Sequence, residues 1–249
     1  GDMDGDGDLD LATSTNGQNY YYRNNGDGSF DSGTAFGGIN DNTWSVAWGD
    51  ADGDGDLDLA VSNKFVLNVL YLNSGDGTLV NNGITFGTAD DTSGRLAWGD
   101  FDGDGDLDLA AADSSKQNVI YLNNGDGTFG SSINFGTGDD DTYDLAWGDV
   151  DGDGDLDLAT GNINGRSFVY LNNGDGAFEG TIPIGTDTYI YTVAWSDIDG
   201  DGDLDLATGQ YGQNKVYRNN GNGTFDSCTP FGPASGSTYG VAWGDVDGD

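Results

Sequence analysis

The sequence predicts an all-β chain of tandem, blade-like, four-stranded antiparallel repeats, each about 49 residues long and each carrying an acidic loop. Three observations predict it. A stretch of alternating aspartates recurs at a nearly fixed period, and internal repeats of this size mark propellers or stacked arrays. A glycine-rich Asn-Gly turn follows each copy at a fixed distance. Between these landmarks apolar and polar residues alternate with a period of two, the signature of strands. The 45 glycines and the lack of any apolar stripe at helical spacing argue against helices.

The acidic loop comes first. Residues 100–108 read Asp-Phe-Asp-Gly-Asp-Gly-Asp-Leu-Asp, placing Asp100, Asp102, Asp104, Asp106 and Asp108 at every second position. Like charges about 4 Å apart repel by roughly 1 kcal/mol in water and about 4 kcal/mol near a protein surface. A folded loop that keeps all of them ionised therefore needs a cation, and an all-oxygen donor set selects a hard one. Calcium accepts six to eight oxygens in a flexible geometry, whereas magnesium demands a tight octahedron and keeps its waters. Asp100, Asp102 and Asp104 take positions one, three and five of such a loop, and Gly105 allows the sharp turn at position six. Asp106 at position seven offers its backbone carbonyl, leaving its side chain to meet solvent or a neighbour, and Asp108 closes the site. An EF-hand would need a glutamate at position twelve, where this loop has Ala111.

The loop recurs as Asp2, Asp4, Asp6, Asp8 and Asp10; as Asp50, Asp52, Asp54, Asp56 and Asp58; as Asp149, Asp151, Asp153, Asp155 and Asp157; and as Asp197, Asp199, Asp201, Asp203 and Asp205. A sixth begins with Asp245, Asp247 and Asp249. One calcium ion is expected per complete loop. The loop starts are spaced by 48, 50, 49, 48 and 48 residues, which divides the chain into units 2–49, 50–99, 100–148, 149–196 and 197–244, with a truncated loop at 245–249.

Each unit is expected to contain four strands. In the fourth, Tyr143–Trp147 forms the first and ends at the loop; Leu156–Thr160 forms the second; and Ser167–Asn172 forms the third. The turn Asn172-Asn173-Gly174-Asp175-Gly176 then leads into a strand beginning near Ala177-Phe178. Asn-Gly and Asp-Gly favour tight hairpin turns with positive φ. Counterparts start at Asn24, Asn73, Asn123 and Asn219. Hairpin chemistry explains these turns, and a second cation site at Asp27, Asp76, Asp126 and Asp175 is the alternative; Asn222 replaces the acid in the last copy.

The run Trp-Gly-Asp-x-Asp-Gly-Asp-Gly-Asp-Leu-Asp-Leu-Ala, followed by Val-x-Tyr-Leu-Asn-Asn-Gly-Asp-Gly-Thr-Phe, resembles the FG-GAP/VCBS repeat. The resemblance covers essentially the whole chain. It implies four-stranded blades with calcium held between the first two strands, as in integrin α-chain propellers and bacterial surface proteins.

Two assemblies of the repeats are open: a closed β-propeller, or an open linear array carrying a ladder of calcium ions. In a ring, residues 237–244 would supply the first strand that the N-terminal unit lacks. The second copy of half a loop at Asp245, Asp247 and Asp249 fits an excerpt of a longer array better. In such an array each unit would bury its apolar face on the next.

Composition narrows the partners. The formal net charge is −37, from 44 acids against 7 bases, so nothing neutralises phosphates: nucleic acid is excluded and an anionic membrane surface disfavoured. No apolar run is long enough to span a bilayer, so no membrane insertion is expected. Only one acid is glutamate, Glu179, so tight loops rather than a general need for charge set the aspartate excess. Without histidine there is no Ser-His-Asp or Cys-His arrangement, and carboxylates repeated identically do not supply the asymmetric acid and base of a catalyst. The single cysteine, Cys228, permits no intrachain disulfide. Calcium loops suit a millimolar-calcium exterior. The expectation is an extracellular or cell-surface structural and adhesive protein that self-assembles into fibres or packs on neighbouring repeats. A binding module for a glycan or protein ligand is the alternative, with symmetry broken at Thr186–Tyr191.

Trp48, Trp98, Trp147, Trp195 and Trp243 stand two residues before each loop and are expected in the core at unit boundaries. Trp44, Tyr20-Tyr21-Tyr22, Tyr189 and Tyr191 read as lying outside the period. Lys64, Lys116, Arg166 and Lys215 are expected in solvated turns between second and third strands, and Asn222-Gly223-Thr224 is an N-glycosylation sequon.

Overall fold

The computed structural model describes residues 1–88, 93–186, 189–226 and 228–245. All regular structure in it is β, arranged as sequential antiparallel meanders. The first sheet contains β1 (Leu11–Thr13), β2 (Asn19–Tyr22) and β3 (Thr34–Phe36). The second contains β4 (Thr43–Gly49), β5 (Asp58–Asn63) and β6 (Asn68–Asn73), with β7 (Leu79–Val80) and β8 (Thr85–Phe86) sharing the outer position beside β6. The third contains β9 (Ser93–Gly99), β10 (Asp108–Asp113), β11 (Asn118–Asn123) and β12 (Phe129–Phe135). The fourth contains β13 (Thr142–Gly148), β14 (Asp157–Asn162), β15 (Phe168–Asn172) and β16 (Phe178–Pro183). The fifth contains β17 (Ile190–Ser196), β18 (Asp205–Gln210), β19 (Asn214–Tyr217) and β20 (Thr229–Phe231). These are the tandem blade-like sheets the repeat predicts. The second strand of the fourth unit starts at Asp157, one residue later than the alternation suggested, because Leu156 still belongs to the loop.

The chain forms two compact units. One comprises residues 1–100 and 104–136, the other residues 101–103 and 137–249. Within the first, Met3, Tyr21, Phe36, Leu59, Val61 and Tyr71 form a core between the first and second sheets. A second core there unites Leu70, Phe86, Leu96 and Leu109 between the second and third. In the other unit Val150, Val169, Ile184, Ile190, Val193 and Leu206 fill the space between the fourth and fifth sheets.

The strands β5, β10, β14 and β18 are buried at all six positions, so both faces of each are covered. This explains the Leu-Ala-Ala-Ala of β10. Alanine favours helix in isolation, but small side chains suit a strand that is buried throughout. Tertiary packing overrides the local preference.

Trp48, Trp98, Trp147 and Trp195 lie in first strands and are half-buried, and Trp48, Trp98 and Trp195 pack against the apolar cores between sheets. Trp243 is exposed and lies outside the strands. Trp98 Nε1 donates to Ala47 O (3.2 Å), and Trp195 Nε1 donates to Ala146 O (3.0 Å), so each indole is tied to the first strand of the preceding sheet. A Cβ on Gly49 or Gly148 would strike the Trp98 or Trp195 ring, which fixes glycine beside the tryptophan. Trp243 makes the same bond to Ala194 O (3.2 Å), and Thr238 N donates to Gln210 O (3.2 Å), so residues 237–243 lie along the fifth sheet as the start of another repeat.

Two further expectations are corrected. Trp44 and Tyr191 do follow the period: with Tyr143 and Tyr239 they stand six residues before a loop start. Pairing slips by one residue at Trp44, Tyr143 and Tyr191, each the extra residue of a β-bulge in its first strand. Lys215 is not in a turn but within β19, opposite Thr208. Lys64 does occupy its turn, where its ammonium lies over the Trp44 ring at 5.0 Å.

Candidate metal centres

Every complete loop is built in the same way. The position-one carboxylate receives loop N–H groups: Gly5 and Gly7 on Asp2, Gly55 on Asp50, Gly105 on Asp100, Gly152 and Gly154 on Asp149, and Gly200 and Gly202 on Asp197. Position five turns back on the loop. Asp6, Asp54, Asp104, Asp153 and Asp201 each accept the N–H of the aspartate two residues on. The glycine at position six has φ near 95–101°, left-handed space that a side chain would strain.

The position-nine carboxylate is a buried node. Asp58 Oδ2 accepts Ala51 N–H and its Oδ1 accepts Asn73 N–H, both at 2.8 Å. Asp157 repeats this with Val150 and Asn172, Asp205 with Ile198 and Asn219, and Asp10 with Met3 and Asn24. Asp108 accepts Asn123 N–H in the same manner.

Positions one, three and nine converge. Asp50, Asp52 and Asp58 bring one oxygen each within 4.8 Å of the others, as do Asp149, Asp151 and Asp157, and Asp197, Asp199 and Asp205. In the first loop the convergent set is Asp2, Asp4 and Asp6. In the third loop Asp100 and Asp104–Asp108 belong to the first compact unit and Asp102 to the second. Asp245 is described, whereas Asp247 and Asp249 lie outside the described residues.

The electrostatics are those of a cation site. Burial pushes the Asp58 and Asp157 carboxyls up to about 6, against the pull of their backbone N–H donors. Asp52 and Asp151 are also raised, first by burial and then by the carboxylates of Asp54 and Asp153. The Oδ1 atoms of Asp4, Asp50, Asp52 and Asp151 are buried and have no hydrogen-bond partner among the described residues. A buried carboxylate oxygen without a donor is costly. Convergent carboxylates, one or two of which carry such an oxygen in the first, second and fourth loops, with no nitrogen or sulfur donor, fit a hard divalent cation, and calcium matches the oxygen-only set.

Other side chains are placed differently from their sequence expectation. The position-seven carboxylates are partly exposed and lie along their own repeat's turn. Asp8, Asp56, Asp106, Asp155 and Asp203 lie against Gly26, Gly75, Gly125, Gly174 and Gly221 of their own repeat's turn, where a Cβ would collide with them. The turn acids serve hairpin chemistry. Asp27, Asp76 and Asp126 accept the N–H of Ser29, Thr78 and Thr128, and the hydroxyls of those residues hold the three carboxyls below the usual range. Asn222 makes the same bond to Thr224, so the last turn needs no charge. Arg23 lies 3.8 Å from Asp4 and Arg218 3.0 Å from Asp199, so both bases pair with acidic loops.

Sequence reasoning missed the first asparagine of each turn. Asn73 Nδ2 donates to Met3 O (2.6 Å), Asn123 to Ala51 O (2.7 Å), Asn172 to Phe101 O (2.9 Å) and Asn219 to Val150 O (2.6 Å). Each acceptor is position two of the preceding repeat's loop, and its side chain is buried. Phe101 shows the consequence: its ring packs 4.9 Å from Phe178 and 6.1 Å from Trp147. The signal available was the unvarying asparagine before each Asn-Gly or Ser-Gly pair, together with an apolar residue between the first two aspartates of every loop.

Among solved structures, the chain is similar to an Agrocybe aegerita lectin described as recognising non-reducing terminal N-acetylglucosamine (24% identity, TM-score 0.63, 92% of this chain and 64% of that one). It is also similar to BBS1N in complex with ARL6DN (14% identity, TM-score 0.59, 90% of this chain and 65% of that one). The chain thus spans just under two thirds of either relative, and these likenesses establish the fold alone. No curated protein matches the chain. The model of the FG-GAP-like repeat matches residues 2–61, 62–111, 100–160, 149–208 and 197–249. With matches running from the first loop to the last residue, the chain belongs to the FG-GAP-like repeat family.

Proposed function

We propose that this chain is a calcium-stabilised, non-catalytic structural and adhesive repeat module that works outside the cell. The observation that carries the reading is the convergence of carboxylates in the acidic loops, with buried oxygens that lack a donor in the first, second and fourth. Calcium would be held by the aspartates at positions one, three and nine, with the position-seven carbonyl completing the oxygen set. When bound it supplies the positive charge that makes the loop's carboxylates compatible with folding.

The chain's own residues turn that into rigidity. The position-nine aspartate holds its loop against its own turn, and the turn asparagine holds that turn to the preceding loop. A loop set in place by metal therefore presents its position-two carbonyl and buried side chain to the next sheet. Binding energy becomes docking energy between repeats. Extracellular modules bind calcium at about 10⁻⁴–10⁻³ M, which matches an exterior location. The adhesive part draws on the lectin and the BBS1N complex, relatives whose descriptions name a glycan and a protein partner.

Calorimetric calcium titration of the chelator-treated chain tests the reading. About one ion per complete loop is expected, with one fewer in an Asp50→Asn/Asp52→Asn double variant. Absence of binding at millimolar calcium, or an unchanged stoichiometry in the variant, would overturn it.

A further inference from the structure

The fifth repeat departs from the others at the end of its sheet remote from the acidic loop. In the register of β17 and β18, Ser196 opposite Asp205 marks the loop end and Ile190 opposite Gln210 marks the far end. A backbone bond closes the far end, from Tyr211 N to Tyr189 O (3.0 Å). The same bond closes two other repeats, from Lys64 N to Asn42 O and from Ile163 N to Asp141 O (both 2.9 Å). Of these three repeats, the fifth is the one in which the pair is two tyrosines.

Tyr189 also has φ of 78°, left-handed space that neither Asn42 nor Asp141 enters, although those residue types tolerate it better. Strain of this kind persists where surrounding structure imposes it, and it clusters at binding sites. Its effect here is to present an aromatic ring, 47% exposed, beside Tyr211, which is 66% exposed, with ring centroids 6.4 Å apart.

A second pair adjoins the first. The bulge in β17 re-aims Tyr191 onto Tyr239, 4.7 Å away between centroids, and Tyr143 backs Tyr191 from the fourth sheet at 5.7 Å. Tyr239 is 62% exposed. Neither pair is stacked face to face: the interplanar angles are 64° and 50°. The rings therefore cannot mask one another's faces, and aromatic surface stays open to solvent.

We propose that Tyr189, Tyr191, Tyr211 and Tyr239 form a stacking platform for a neutral saccharide. A pyranose offers an apolar C–H face to an aromatic ring while its hydroxyls meet phenolic oxygens and water, and tyrosine combines an apolar body with a polar tip. The net charge of −37 opposes phosphorylated, sulfated or sialylated ligands, which leaves uncharged sugars. The large exposed apolar residues at this end, Tyr189, Tyr211, Tyr239 and Phe231, are all aromatic, with no aliphatic anchor of the kind that fills a pocket on a protein partner. The site lies away from the calcium loops, so the proposal stands independently of calcium binding.

The test is an array of neutral oligosaccharides built from hexoses and N-acetylhexosamines, probed with the whole chain in millimolar calcium. The variants are Tyr211→Ala, Tyr239→Ala, Tyr211→Phe and, as a control, Tyr20→Ala on the first sheet. At least one neutral glycan should bind. Tyr211→Ala and Tyr239→Ala should weaken that signal at least about tenfold with an unchanged melting midpoint, while Tyr211→Phe and Tyr20→Ala retain it. Three results would overturn the proposal: no neutral glycan bound, equal loss in Tyr20→Ala, or full binding by both alanine variants. Capture of a peptide in place of a glycan would overturn it too.

Discussion

A single amide can hold two repeats together. Asn123 gives its backbone N–H to Asp108 of its own repeat and its side-chain N–H to Ala51 O of the preceding one, and it is itself buried. Replacing it with alanine removes the bonds to Ala51 O and Leu107 O, although Ala51 O keeps the Gly127 N–H, and such a bond is worth about 0.5–1.5 kcal/mol net. Asn123→Ala should lower unfolding stability by that amount in urea titrations, whereas Asn124→Ala, on the exposed side of the same turn, should change it by less than about 0.5 kcal/mol. The position-nine acids give a pH dependence. Burial raises the folded pKa of Asp58 and Asp157 from 3.8 to about 6, so the metal-free fold binds these protons more tightly than the unfolded chain does. Their contribution is fully present below pH 4 and is lost as pH rises through 6. In EDTA the urea midpoint should therefore fall between pH 4 and pH 6.5, and an Asp58→Asn/Asp157→Asn variant should show a shallower fall. Calcium affinity runs the opposite way and should weaken below pH 6, because binding needs both groups ionised. The aspartates were legible in the sequence because five alternating carboxylates have no cheaper explanation. The asparagine was not, because an Asn-Gly turn already accounts for it.

At the level of elements, most strands could be read from alternation, while their irregularities could not. A bulge adds one residue to one strand, so the period counted along the sequence stays intact while the side chain at Trp44, Tyr143 or Tyr191 changes direction. The tryptophans read as core for a similar reason. Size and periodicity suggest burial, but the indole N–H must reach a carbonyl on the neighbouring sheet, which holds the ring at the interface edge. Trp98→Phe keeps most of the apolar surface and removes the bond to Ala47 O; chemical denaturation should show a loss of about 1 kcal/mol. The second strands make the converse point. Ala110 is fully buried in a strand covered on both faces, so Ala110→Leu has no void to fill. Overpacking of this kind should destabilise by about 1–3 kcal/mol, read as an earlier urea midpoint.

Across the whole molecule, one repeat unit is used again and again, and its cost is the charge gathered in the loops. A net charge of −37 in 249 residues works against compaction, and the loops concentrate it where sheets meet. Repetition made the architecture legible: each apolar core joins consecutive sheets, and the asparagine and aspartate bonds recur from repeat to repeat. The tryptophan bond ties the second sheet to the third and the fourth to the fifth. The metal itself leaves only an indirect trace, in carboxylate oxygens buried without donors. The central claim is that calcium binding and folding of the repeats are one process. The most direct measurement is thermal unfolding of the chain in EDTA and at increasing calcium. The melting midpoint should rise steadily with the logarithm of calcium concentration, because each site adds about 2.7 kcal/mol once calcium reaches a hundred times its dissociation constant. A midpoint that is the same in EDTA and in millimolar calcium would contradict the account and leave the convergent aspartates to be explained by another cation or by protonation.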